Sequence, residues 1–472
     1  MEINSETELS NKLQSVADNQ SGSFKLMRDL DCNDEICLNK RQSNISLDLN
    51  GCKIKHSSSD NKPLFSVSNS AEFTITDSNP GKDNSVDSQS LQNQGQNLTA
   101  DNCGKTAKML YENDVPTELT YYVTKSSVDT KDSTRTNETT YEYKVTIKGA
   151  IVACSSSKVN LIKLEGGTFN LQGGVLTQKN NCNVDGLIYA QSGSTVNMSG
   201  GYVCGASMGR DGAGAGIHVE GSTLVISDGV IAGNYAPSGG GVYAWNSTVN
   251  MVGGIISGNG TNNDQNGFGA GICAENSNVT ITDGHITNNK YQHYDESHKG
   301  NGCHGGGGIA AFNDGSLTIA GGYITGNYSA EAGGGVYAGA WNSALSGFTF
   351  SGGTIASNVA QNSEGGGIRI SAPTVGDFNV SDNKAYITNN TTNTTNDWGG
   401  GGVFVQGSGD NSVQPARLRI SNALITNNHA RGFGGGFAAC PTGKTAITDT
   451  DGIAIFGNSD DKGEKRSGGS NG

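Results

Sequence analysis

Gly216-Ile-His-Val-Glu220, then Ser222-Thr-Leu-Val-Ile-Ser-Asp-Gly229, then Val230-Ile-Ala-Gly-Asn-Tyr-Ala-Pro-Ser-Gly-Gly240: three short runs alternate in polarity, and each closes on a turn residue. Period-two alternation is the mark of a half-buried strand, and nothing in this stretch carries the 3.6-residue period of a helix. The same grammar restarts at Gly186, Gly216, Gly241, Gly271, Gly308, Gly335, Gly367, Gly402 and Gly436, at intervals of 25 to 37 residues. An irregular period around a fixed internal pattern signals stacked supersecondary units. Three strands per repeat make one coil of a triangular solenoid. The chain is therefore read as all-β, a right-handed parallel β-helix of about a dozen coils, stacked at about 4.8 Å each and roughly 60 Å long.

A second regularity follows each Gly-Gly or Asp-Gly turn. An asparagine stands five residues later, from Gly229 to Asn234, Gly254 to Asn259, Gly284 to Asn289, Gly322 to Asn327 and Gly353 to Asn358; Asn390, Asn428 and Asn458 continue the series behind other turns. Asparagine tolerates the left-handed backbone, and its amide bonds neighbours above and below. These residues are read as a structural ladder at one corner, with the long loops leaving the same edge.

Outside the repeats the chain divides as follows. Residues 1–40 form a cap, in which Ser5, Glu8, Leu9, Leu13 and Val16 predict a short amphipathic helix with a capping pair at Ser5 and Glu8. Such a helix blocks edge-to-edge pairing at the open end of a solenoid. Residues 41–458 form the β-helix, interrupted by an insertion at 78–148. Within it Leu119–Thr124 and Thr139–Ile147 predict a projecting hairpin. The polar, glycine-rich tail at 459–472 is read as disordered or as a linker. Composition fits one continuous domain: 71 glycines, 7 prolines and 34% hydrophobic residues suit tight corners around a thin core.

Bulk properties narrow the function. The formal net charge is −13 with no Lys/Arg-rich block, which disfavours nucleic acid and anionic membranes. No run of 18 apolar residues is present to span a bilayer, and Met1-Glu-Ile-Asn lacks the basic and apolar parts of a signal peptide. Solenoids of this composition are exported, so an extracellular or cell-surface location is expected, for a mature or excised chain acting as a monomer. The ten cysteines contain no CxxC pair; Cys32 with Cys37, and Cys273 with Cys303, are the candidate disulfides, and neither metal nor cofactor is expected.

The GGG[IV] starts at 239–242, 333–336 and 365–368 and the trailing Ile-x-x-Asn at 324–327 and 425–428 resemble the repeats of polymorphic outer-membrane-protein-like adhesins. More widely the chain is similar to pectate-lyase-like β-helices on bacterial surfaces, and Leu47-Asp-Leu-Asn-Gly51 with Lys53-Ile54 resembles the opening coil of such proteins from gut bacteria. The resemblance spans about residues 40–77 and 160–458. It implies the fold and, for function, surface adhesion, although this scaffold hosts lyases and glycosidases too. The family's Phe-x-x-Asn is absent here, Ile or Val standing where Phe would.

Candidate site residues come from the first strand of each coil. Its first and third positions after the glycine are apolar and point inward, so the second and fourth point out: His218 and Glu220, Tyr243 and Trp245, Cys273 and Glu275, Ala310 and Phe312, Tyr337 and Gly339. Tyr243, Trp245, Phe312 and Tyr337 are expected to form an exposed aromatic face suited to sugar rings or a protein epitope. Two protrusions extend it: the loop 290–307, with Tyr291, His293 and Tyr294, and the hairpin, with Tyr121 and Tyr143. An enzyme would use Glu220 and Glu275, two coils and about 9.6 Å apart, at the edge of the range for inverting glycosidases. Asp228 and Asp283 share that spacing but sit in Asp-Gly turns, and Arg369 lacks the acidic neighbours of a lyase site. Gly205-Ala-Ser-Met-Gly209 and His304-Gly-Gly-Gly307 mimic hydrolase motifs without the helix those motifs require. The expected function is adhesin-like binding of a host protein, immunoglobulin included, or a glycan; a polysaccharide-active enzyme and a structural stalk are the alternatives.

Overall fold

From the coil of Ile217 onward, each coil runs three strands in three parallel sheets. For the coil quoted above, Ile217–Glu220 lies in a first face of 12 strands, Thr223–Ala232 in a second of 20, and Tyr235–Ala236 in a third of eight. The chain is a parallel β-helix. The computed structural model describes residues 1–462 apart from 59, 82, 92–101, 129–135, 155–158, 210–211, 262–266, 294–303, 341–344, 380–385, 395–396, 398, 409–411 and 448–452. Tyr294 and Cys303 of the loop and residues 463–472 of the tail lie outside the described residues.

Alternation explains the core. Ile217, Val219, Leu224, Ile226 and Ile231 all point inward and are fully buried, and each stacks on its equivalents in adjoining coils: Ile188, Ile217, Val242, Ile272, Ile309, Val336, Ile368 and Val403 pair in unbroken register. Burying each such side chain contributes roughly 1.5–3 kcal/mol. At the N-terminus, helix Glu6–Gln14 closes the prism with Leu9 and Leu13 buried. Its first turn is capped twice: Ser5 Oγ accepts from Glu8 N–H, and Glu8 carboxylate accepts from Asn4 N–H at 2.8 Å. Coil pairing starts earlier than residue 41, because Ser21–Leu26, Leu30–Cys32 and Ile36–Leu38 already pair with Asn44–Asp48, Lys53–His56 and Phe65–Ser68.

Two readings of the corners change. The Asp-Gly turns are bulges inside the ten-residue strand of the second face, where Asp228 and Asp283 accept from the following glycine N–H at 2.7 Å, rather than corners between faces. The true corner is at the asparagine series, whose left-handed residue is the one before each ladder asparagine: Gly233, Gly258, Asn288, Gly326, Ser357, Asn389, Asn427 and Gly457 have φ between 55° and 65°. The ladder residue itself is freed to stack its amide.

The insertion does not project. It forms a four-stranded antiparallel sheet, in the order Lys108–Glu112, Val115–Val128, Thr136–Thr146, Asp83–Leu91, laid lengthwise on the second face. Leu119, Tyr121, Val123, Val145 and Ile147 pack on Ala150, Val152, Val175, Cys204, Val230 and Ala232. Just before strand Lys108–Glu112, residues 104–107 run along the asparagine corner, Gly104 N–H bonding Gly326 C=O and Ala107 N–H bonding Gly258 C=O. A Cβ on Gly258 would lie 2.3 Å from Ala107 N, so glycine is required there by contact as well as by its φ of 62°. The nine described cysteines are free thiols; Cys32 and Cys37 stand on strands of different faces.

At the far end of the insertion, the buried Glu138 carboxylate accepts from Asn389 Nδ2 at 3.1 Å. Burial pushes this carboxyl up to about 7, against the opposing influence of Ser357, Asn389 and Lys105, while the Cys103 thiol beside it is also pushed up. Between the ordinary glutamate range and pH 7 the folded state thus holds more protons than the unfolded, so stability falls as pH rises through that window. Unfolding free energy measured at pH 5 and pH 8 is expected to differ by a few kcal/mol in wild type. In Glu138→Gln the difference should shrink; an unchanged slope would assign it to other groups.

Candidate functional site

The outer surface of the first face is built from alternate residues of its strands. Ile188–Gln191, Ile217–Glu220, Val242–Trp245 and Ile272–Glu275 lie side by side, so one column reads Tyr189, His218, Tyr243, Cys273 and the next reads Gln191, Glu220, Trp245, Glu275. The His218 ring stands edge-on between Tyr189 and Tyr243, with centroids 4.9 and 5.0 Å away. Edge-to-face contacts at this spacing are favourable and hold the three rings as one rigid row.

The neighbouring polar column is tied to that row. Tyr189 hydroxyl donates to Glu220 at 2.9 Å, Tyr243 hydroxyl donates to Glu275 at 2.9 Å, and Asn313 Nδ2 donates to the other Glu275 oxygen at 2.9 Å. Gln191 Nε2 donates to Glu165, which also pairs with Lys163 at 2.7 Å. Burial, reinforced by the glutamate, pushes the Tyr189 phenol up to about 12 and Tyr243 further in the same direction, so both remain hydroxyl donors. Burial also lowers His218, which favours the neutral imidazole. Trp245 is the exposed member, at 39% of its surface, and lies on the strand between Glu220 and Glu275. At the N-terminal end the same face opens into a cleft of about 440 Å³, where Lys163 and Glu165 face Glu35, Asn39 and Lys62.

The expected four-ring exposed patch does not form. Phe312 and Tyr337 are buried, because Phe268, from the loop before Gly269, lies over them with centroids 4.6 and 5.8 Å away. Cys273 and Ala310 are buried in the same outer cluster. Further along, Arg369 is buried too: it pairs with Glu364 at 3.3 Å and its guanidinium lies over the Tyr337 ring, so it has an acidic partner after all. Of the two protrusions, Tyr291 is buried, His293 is half-buried with its ring 6.2 Å from His304, and Tyr121 is buried under Tyr143, stacked at 5.0 Å. Those residues hold loops down. Tyr243 and Trp245 remain as surface groups, and Glu220 and Glu275 face them.

The structure adds Tyr189, Gln191 and Asn313 to the site. Tyr189 escapes the repeat grammar because Gly186-Leu-Ile has one residue more than Gly216-Ile: Ile188, not Leu187, pairs with Ile217, and the reading frame shifts by one. Asn313 sits in the turn after Phe312, where no period operates. No family model, no curated protein and no solved structure matches this chain.

Proposed function

We propose that this chain is a non-enzymatic binding protein, exported and displayed outside the cell, whose first face takes a glycan. The observation that carries the reading is the exposed Trp245 beside the rigid Tyr189–His218–Tyr243 row. A flat indole bordered by fixed acceptors suits a sugar's apolar face and its rim of hydroxyls. Glu220 and Glu275 supply the acceptors; the tyrosine and asparagine donors hold them in place. A carboxylate pair working as acid and base would need a water-sized gap between them, and here the indole-bearing strand runs between. Binding is the better use of this arrangement, whether the glycan is free or carried by a host glycoprotein.

A glycan array probed with the full chain, followed by calorimetry on each hit, tests this. A buried aromatic anchor contributes 2 kcal/mol or more, so Trp245→Ala is expected to weaken a hit by about 30-fold. Tyr189→Phe, which keeps the ring but frees Glu220, is expected to weaken it less. Undiminished binding by Trp245→Ala would remove the first face as the site. Release of shortened sugar chains, abolished in Glu220→Gln, would make the protein an enzyme. A chain that retains no glycan and no host protein would act as a stalk.

A further inference from the structure

A second cleft lies on another part of the molecule, where strand Lys108–Glu112 of the insertion crosses the corner of the coils. Its volume is about 510 Å³, within the range of small-molecule sites, and it forms at the junction of two structural units, where such sites concentrate. Among the described residues, none of those lining it is charged, although the chain as a whole carries −13. Its larger polar side chains are carboxamides and phenols: Gln178, Asn180, Asn181, Asn183 and Tyr235 from the coils, and Tyr111 from the insertion strand.

We propose that this cleft is a second binding site, for an uncharged, hydroxyl-rich ligand of monosaccharide or disaccharide size. Carboxamides both donate and accept, which matches hydroxyls that do the same, and an ionised ligand would lose its hydration with no countercharge to replace it. The two tyrosines give flat apolar surface with a donor at the end. Burial pushes the Tyr111 phenol up to about 12 and raises Tyr235, so both keep their protons.

The walls are held in place without a ligand. Gln178 is buried, and its amide bridges the corner by donating to Cys182 C=O at 2.7 Å and accepting from Ser207 N–H at 3.0 Å. The opposite wall is fixed by Met109, whose Cγ would lie 2.8 Å from a Cβ placed on Gly205. Asn181 and Asn183 stay exposed at the rim. The site is independent of the first face, which belongs to a different sheet of the coil.

The test is saturation-transfer NMR and calorimetry on the full chain with galactose, N-acetylglucosamine and their disaccharides, and with glucuronate as the anionic comparison. Neutral sugars are expected to bind and glucuronate to fail. Asn181→Asp, at an exposed left-handed position that aspartate tolerates, and Tyr111→Ala are each expected to weaken neutral-sugar binding tenfold or more. The cleft variants are read both in wild type and in the Trp245→Ala background, where the first face no longer contributes, and the same loss is expected in both. Absence of neutral-sugar binding, glucuronate bound as well as galactose, or binding lost in Trp245→Ala but kept in both cleft variants would each overturn the proposal. Because Asn181→Asp touches only the rim, it reports on the site even if Tyr111→Ala loosens the insertion.

Discussion

Asn289→Ala is expected to destabilise the chain by roughly 3–6 kcal/mol, far more than removal of an ordinary surface amide, because of what it leaves behind. Asn289 is buried; its Nδ2 donates to Ile256 C=O and to Asn327 Oδ1, both at 3.0 Å, and its own Oδ1 accepts from Asn259 N–H at 3.1 Å and Asn259 Nδ2 at 3.0 Å. The same four-bond pattern repeats through Asn259, Asn327, Asn358, Asn390 and Asn428; Asn234 begins the series, its Oδ1 accepting from Ala206 N–H, and Asn458 ends it. Alanine strands two donors of Asn259 in a place water does not reach, at about 1–3 kcal/mol each. Asn289→Asp is expected to be worse at neutral pH. It keeps the acceptor but aims a carboxylate at the Ile256 and Asn327 oxygens. Burial raises such a carboxyl, so the added loss should grow as pH climbs above about 4 and shrink in acid, where one oxygen regains a proton to donate. Urea midpoints at pH 4.5 and 8 measure both effects. A cost for Asn289→Ala below about 1 kcal/mol would show that the amides stack without supporting the corner.

The sequence made some of this legible and hid the rest for identifiable reasons. Ile217 and Val219 could be placed inside because a strand has a period of two, and the asparagine ladder could be placed at one corner because its spacing from the turn is constant. Local pattern fails where burial is decided from a distance. Phe312 and Tyr337 obey the outward phase of their strands, yet Phe268 covers them from a loop with no phase at all. Tyr121 and Val230 are more than a hundred residues apart, and nothing local in either announces that they pack together. Asp228-Gly229 has the composition of a corner but is a bulge, because the left-handed residues that turn the chain stand before the asparagines. Tyr189 was hidden by a one-residue slip in the repeat, which moves every side chain of a strand to the other face.

The largest effect is expected from removing the insertion. Gly81 lies beside Thr146 and Lys148, so joining Gly81 to Lys148 closes the chain without disturbing the coils. The loss uncovers Val152, Val175 and Val230 and removes Leu119, Tyr121, Val123, Val145 and Ile147 from a dry interface. Five such side chains at about 1.5–3 kcal/mol each give an upper bound of roughly 7–15 kcal/mol. The single substitution Tyr121→Ala, which also ends the stack on Tyr143, is expected to cost about 3–5 kcal/mol. The more telling consequence concerns cooperativity. Coils of a solenoid touch only their neighbours, so stability is a sum of local terms and unfolding can stop part-way. Here one element reaches from the coil of Val175 through Gly258 and Gly326 to Ser357 and Asn389, by apolar packing at one end and by Ala107, Gly104, Cys103 and Glu138 at the other. It ties together repeats that have no direct contact. The wild-type chain should therefore melt in one transition, and the deletion variant in two, with the coils beyond Gly258 unfolding first and binding a hydrophobic dye as they do. A deletion variant that melts in one step at the wild-type temperature would make the insertion an appendage.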